Sequence, residues 1–177
     1  MTPLVVGLDL SLTATGIARR DGSTRTVKTR ADYGDRRLIE ITNAVRQTVG
    51  GYSEGFEQSR VDLVVLEDLP KHAMAAGITG MVHGAVRAVL LNIGVRYALI
   101  APATLKAFAT GKGNADKTAM AMAAYKRTER EFGDDNQCDA WWLRAAGLDH
   151  LGAPEFALPQ AQRDRLAKVN WPQAVTP

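Results

Sequence analysis

Three acidic positions, far apart in the chain, are the residues whose types and spacing could do chemistry. Asp9 closes the apolar run Leu4-Val5-Val6-Gly7-Leu8, and Glu67 closes a second one, Leu63-Val64-Val65-Leu66. The third stretch, Asp134-Asp135-Asn136-Gln137-Cys138-Asp139, opens a helical pattern. On a helix Asp135 and Asp139 stand four apart, and Asn136 and Asp139 three apart, so all three can face the same way. Charges are seldom placed at the end of fully apolar strands without a partner. Carboxylates packed together repel, and burying one unpaired is costly, so such a cluster calls for protons or a hard cation. Oxygen ligands with no His or Cys at ligand spacing favour magnesium or manganese over zinc. Two such ions can activate a water and stabilise the leaving oxygen of a phosphodiester. The chemistry suggested is that of a nuclease. Taken singly, each acid also has a plain structural reading as a turn residue, a cap or a complement to a helix dipole.

The elements that must position these acids are legible from periodicity. Residues 4–10 read as a strand buried on both faces. Thr15–Arg20 and Arg25–Thr29 read as two more, and their short connections, one carrying Asp21-Gly22, force an antiparallel meander. Arg36–Val49 places Leu38, Ile41, Val45 and Val49 at helical spacing before Gly50-Gly51. Val61–Glu67 is a second buried-type strand, Gly77–Asn92 a helix and Val95–Ile100 a further strand, which implies a right-handed parallel crossover. Pro102 suits the first turn of a short helix to Phe108. Two more helices are predicted, over Ala115–Glu131 and Asp135–Leu148. The expected fold class is α/β: a mixed five-stranded sheet, antiparallel meander then parallel strands, flanked by helices. Residues 1–150 are expected to form one domain and 151–177 a Pro-containing tail with at most a short helix around 160–169.

Composition bounds the rest. The 177 residues suit one domain, and 46% hydrophobic with 23% charged is an ordinary globular balance. The single cysteine, Cys138, excludes an intrachain disulfide and suits a reducing compartment. No apolar run approaches a membrane span, and Met1-Thr2-Pro3 shows no basic leader, so the expected location is the cytoplasm. The formal net charge of +3 conceals a segregation. Residues 19–37 carry seven basic and three acidic side chains, net +4, and residues 102–130 carry six and two, again +4. Residues 53–68 carry five acids and one Arg, and residues 131–139 four acids and no base, each net −4. Basic flanks suited to phosphates thus alternate with segments holding the proposed metal ligands.

Five ordered motifs resemble a known family. Gly7-Leu8-Asp9-Leu10-Ser11-Leu12-Thr13-Ala14-Thr15-Gly16, Val65-Leu66-Glu67, Ile100-Ala101-Pro102-Ala103-Thr104-Leu105-Lys106, Gly111-Lys112-Gly113-Asn114-Ala115-Asp116-Lys117 and Asp135-Asn136-Gln137-Cys138-Asp139-Ala140 look like the successive motifs of RuvC-type Holliday-junction resolvases. The wording is closest to the resolvase-like proteins of bacteriophages, whose setting would be the host cytoplasm. The resemblance implies a ribonuclease-H-like fold and a metal-dependent endonuclease that cuts branched DNA, usually as a homodimer. It matches Asp9, Glu67 and Asp139 to the catalytic, metal-binding acids. The fourth ligand position is Asn136, which offers a carbonyl oxygen without charge, so Asp135 could substitute or assist. It matches Lys106, Lys112 and Lys117 to basic residues that approach the DNA backbone. Paired nicks at a four-way junction, leaving 5′-phosphates, would follow from two magnesium or manganese ions per site and from twofold symmetry.

Ser11 and Thr15 could orient ligands or donate to phosphate, or serve the turn. Cys138 reads as a packed core residue, Trp141 and Trp142 as packing residues, and His72 as part of a loop that could meet DNA. The rival functions are an actin-like kinase, disfavoured by the length, a silent branched-DNA-binding module, and a related nuclease acting on flaps, forks or RNA–DNA hybrids.

Overall fold

Val5–Asp9 forms β1, buried on both faces up to its terminal acid. Ala14–Ala18 (β2) and Thr24–Lys28 (β3) follow as the predicted meander, then Arg36–Val49 (α1), Leu63–Glu67 (β4), Ala76–Asn92 (α2) and Tyr97–Ile100 (β5). Pro102–Thr110 (α3), Lys117–Thr128 (α4), Asp135–His150 (α5) and a single turn, Gln160–Arg163 (α6), complete the order. This is a computed structural model, and it describes residues 2–50, 61–69 and 76–173. The reading of His72 falls outside the described residues.

The sheet order is β3-β2-β1-β4-β5. β1 pairs antiparallel with β2 and parallel with β4, and β4 pairs parallel with β5. The mixed five-stranded sheet flanked by helices is the fold class expected. Because Leu8 is in register with Leu66, Asp9 and Glu67 leave neighbouring strands side by side at the same end. Side chains alternate across a strand, and the two cores follow that alternation. Val6, Leu8, Val64 and Leu66 bury with α1 and α2 residues such as Ile41, Val45, Val82 and Val86. Val5, Leu63 and Val65 bury with Trp141, Trp142 and Leu143 of α5. Asp9 and Glu67 therefore belong to the α5 face.

Contact between α5 and the sheet is closer than side chains would permit. A Cβ on Gly7 would stand 2.0 Å from the Ala140 carbonyl oxygen, and one on Gly16 would stand 2.0 Å from that of Asn136. From the helix side, a Cβ on Gly147 would lie 2.7 Å from Val5 Cγ1 and 2.8 Å from Val65 Cγ2. Glycine at these three positions lets the backbone of α5 rest on β1, β2 and β4.

Most element boundaries fall within two residues of the periodic reading, and α4 and the C-terminal helix depart further. α4 starts at Lys117, because Asp116 caps it by accepting from the Ala119 amide at 2.7 Å, and it stops at Thr128, where Glu129 turns left-handed at φ +55°. The pattern over 115–131 carries no signal for that left-handed residue. The helix expected around 160–169 is α6 followed by a 3-10 turn over Asp164–Lys168. Residues 152–173 pack back on the α5 side. Phe156 stacks on Trp141 at 5.3 Å, Leu166 is buried, and Gln162 donates to the Phe108 carbonyl at 2.8 Å. Arg144 pairs with Glu155 at 2.6 Å and Arg163 with Asp149 at 2.9 Å. Among the described residues, no helix is long and apolar enough to cross a membrane.

Candidate functional site

The acid end of the sheet follows from the register and the glycine contacts. Asp9 is opposite Gly16 on β2 and two residues beyond Gly7. Those two glycines seat Asn136 and Ala140 of α5, so the turn of helix between them, which carries Asp139, lies over Asp9. Glu67 is the next residue along the sheet edge, in register with Ile100 of β5.

Electrostatics tie the three acids together. Burial raises the Asp9 carboxyl to about 7, and the Asp139 carboxylate pushes in the same direction. Glu67 is raised to about 8, first by burial, then by Asp9 and Asp139. Asp139 is raised by burial. Lys106, on α3, opposes the rise at Glu67 and Asp139, while Lys117, at the start of α4, opposes it at Asp9 and Asp139. Both lysines thus stand within electrostatic reach of the cluster. Lys112 lies apart, exposed in the loop between α3 and α4.

The other predicted positions separate in the same way. Asp135 forms an ion pair with Lys117 and is absent from the charges acting on Asp9 and Glu67. Asn136 is half-buried, its carbonyl pressed on Gly16. Ser11 is engaged in its own turn. Its hydroxyl accepts from the Thr13 amide at 3.3 Å, its carbonyl accepts from the buried Thr15 hydroxyl at 2.6 Å, and its amide donates back to that hydroxyl at 3.2 Å. Cys138 is a buried thiol pushed up to about 12 by burial, which removes it from nucleophilic chemistry. Trp141 and Trp142 are both buried, the latter donating to the Met120 carbonyl at 3.2 Å.

Asp134 is the residue that sequence reasoning passed over. It caps α5 by accepting from the Gln137 amide at 3.0 Å, it accepts from the Thr26 hydroxyl of β3 at 2.6 Å, and its charge also raises Asp9. The Asp134-x-x-Gln137 spacing was a legible capping signature. Its bond to Thr26, which ties the start of α5 to the edge strand, left no trace in the local pattern.

The three carboxylates suit a hard divalent cation, since such an ion would relieve the repulsion that helps to raise Asp9 and Glu67. Among the described residues, no three His, Cys, Asp or Glu side chains already stand close enough to share one ion. The cluster is a set of coupled acids that an ion would have to draw in.

No protein-family model and no curated protein sequence matches the chain. Solved structures do. A Thermus thermophilus RuvC structure superposes with a TM-score of 0.66 at 19% identity, over 86% of this chain and 99% of that one. T. thermophilus RuvC in complex with Holliday junction substrate gives a TM-score of 0.64 at 19% identity, over 86% and 98%. The chain has the RuvC fold, as the ordered motifs led one to expect.

Proposed function

We propose that the chain is a divalent-metal-dependent endodeoxyribonuclease that nicks four-way junctions or closely related branched DNA. The observation that carries this reading is the coupling of Asp9, Glu67 and Asp139, brought from β1, β4 and α5 to one end of the sheet with Lys106 and Lys117 beside them. The likeness in fold to a RuvC solved with Holliday junction substrate supports the substrate class.

In this reading Asp9, Glu67 and Asp139 hold magnesium or manganese, with the Asn136 amide as a neutral oxygen donor. When bound, two such ions supply an activated water and a counter-charge for the leaving 3′ oxygen, so that the products carry 5′-phosphates. Lys106 and Lys117 offset the acids and attract the phosphate that must approach them, and Lys112 extends that attraction along the backbone. Asp135 restrains Lys117 through their ion pair and is not a ligand.

Paired nicks need two copies, and α2 offers a surface for them. Its outward side presents Ile78, Met81, Gly84, Ala88 and Leu91, with Leu91 66% exposed. An isologous contact there would give a homodimer whose twofold axis matches that of a four-way junction. The proposed setting is the cytoplasm.

The test is a nicking assay on labelled four-way junction, fork, flap and RNA–DNA hybrid of equal length, with magnesium or manganese. Symmetric nicks near the junction centre are expected. Preferred cutting of flaps, forks or hybrids would move the function to a related nuclease, and junction binding without any cutting would leave a binding module.

A further inference from the structure

The C-terminal segment brings two cations to the side of the lysine-bearing loop. A notch of about 220 Å³ lies between α3, the α3–α4 loop and the 3-10 turn over Asp164–Lys168. Ala103 and Thr104 of α3 form one wall, Gly111 and Gly113 a second, and Arg165 and Lys168 the third, with no carboxylate among the lining residues.

Two of the walls suit a phosphate. In a 3-10 turn side chains three apart eclipse, so Arg165 and Lys168 share one face. Both are exposed, and neither side chain pairs with another described residue, whereas Arg144, Arg163 and Lys117 are all committed to carboxylates. The turn that carries them is anchored by buried Leu166 and by Gln162, which holds the Phe108 carbonyl at 2.8 Å. Gly111 is left-handed at φ +84°, and a Cβ on Gly113 would come within 3.1 Å of the Ala103 carbonyl, so the loop folds tightly against α3 with little side-chain cover. Lys112 sits between these glycines. The notch thus adjoins the helix that carries Lys106 and the loop that carries Lys112.

We propose that this notch is a phosphate subsite that holds the backbone of a DNA arm beyond the cleavage centre, which makes the C-terminal segment part of the DNA-binding surface. The proposal rests on the nuclease reading above. Its occupant is a backbone phosphate, recognised without base readout, so it adds affinity and orientation and no sequence preference.

The experiment measures equilibrium binding of the full chain to a labelled four-way junction and to a linear duplex, in calcium, over about 50–200 mM salt. Wild type is compared with Arg165→Gln/Lys168→Gln and with Arg46→Gln/Arg96→Gln, a pair outside both basic segments, in the last turn of α1 and just before β5, that removes the same charge. The first pair is expected to weaken junction binding about 3–10-fold and to reduce the slope of log affinity against log salt by about 1–2, at roughly 0.9 for each phosphate no longer neutralised. The second pair should leave the slope unchanged. Equal effects of the two pairs, or an unchanged slope in the first, would overturn the subsite, as would a wild type that binds no DNA. A slope that depends on Arg165 and Lys168 in a protein that never nicks would keep the subsite and remove the nuclease. Nicking by wild type with an unaltered slope in the variant would do the reverse.

Discussion

The carbonyl oxygen of Asn136 lies against the backbone of Gly16, so close that a Cβ at Gly16 would stand 2.0 Å from it. Two residues of separate elements, 120 positions apart in the chain, thereby set the height of α5 above the sheet and with it the place of Asp139 over Asp9. Gly16→Ala should push the helix outward, costing about 1–3 kcal/mol as an overpacked contact does, and thermal denaturation reads the loss. A melting temperature equal to wild type would mean that α5 does not rest on β2 as described.

Asp9 and Glu67 make the metal-free protein sensitive to pH. Their carboxyls are raised to about 7 and about 8 in the folded chain, from ordinary values of 3.8 and 4.5. As pH falls from 8, the native state takes up protons that the unfolded chain does not, so stability rises with acidification. Below about 6.5 His83 and His150, whose pKa values are lowered by burial, act in the opposite sense. In EDTA the melting temperature should be higher at pH 6.5 than at pH 8. Magnesium should raise it at pH 8, and Glu67→Gln should flatten the pH dependence. A profile indifferent to pH, metal and Glu67→Gln would contradict the coupling.

Asp135 and Asp139 share a helix and differ in role. Asp135 is ion-paired with Lys117, whereas Asp139 faces the other acids. Asp135→Asn should retain cutting within several-fold of wild type, and Asn136→Ala should raise the metal concentration needed for half-maximal rate. Rates against metal concentration check both. Loss of all cutting in Asp135→Asn would exchange the two assignments.

The outward side of α2 should govern association. Met81→Glu and Leu91→Glu place charge where 47% and 66% of each residue is exposed, so folding should survive. Sedimentation at micromolar concentration should show a dimer for wild type and a monomer for each variant, with single rather than paired nicks. A wild-type monomer would remove this surface from the account.

Much of this architecture was legible in the sequence, for identifiable reasons. Unbroken apolar runs ending at Asp9 and Glu67 marked buried strands, and the short connections of the meander fixed its pairing. The acids were visible because charge is conspicuous after such runs. Less visible was anything set by distant packing. No local pattern shows that Thr26 would tie down Asp134, that Asp135 would pair with Lys117, or that Ser11 would be taken up by its own turn. The segment beyond residue 150 read as a tail because its prolines break periodicity. Its anchoring depends on single contacts, Phe156 on Trp141 and Gln162 on the Phe108 carbonyl, that carry no repeat.

The most direct test of the central claim is the nicking rate of Asp9→Asn on a labelled four-way junction with saturating magnesium, alongside Glu67→Gln and Asp139→Asn and with binding measured in parallel. Each change should reduce cutting at least about 10³-fold, since a missing ligand removes the stabilisation of the developing charge, while junction affinity stays near wild type. Asp9→Asn cutting at the wild-type rate would contradict the account.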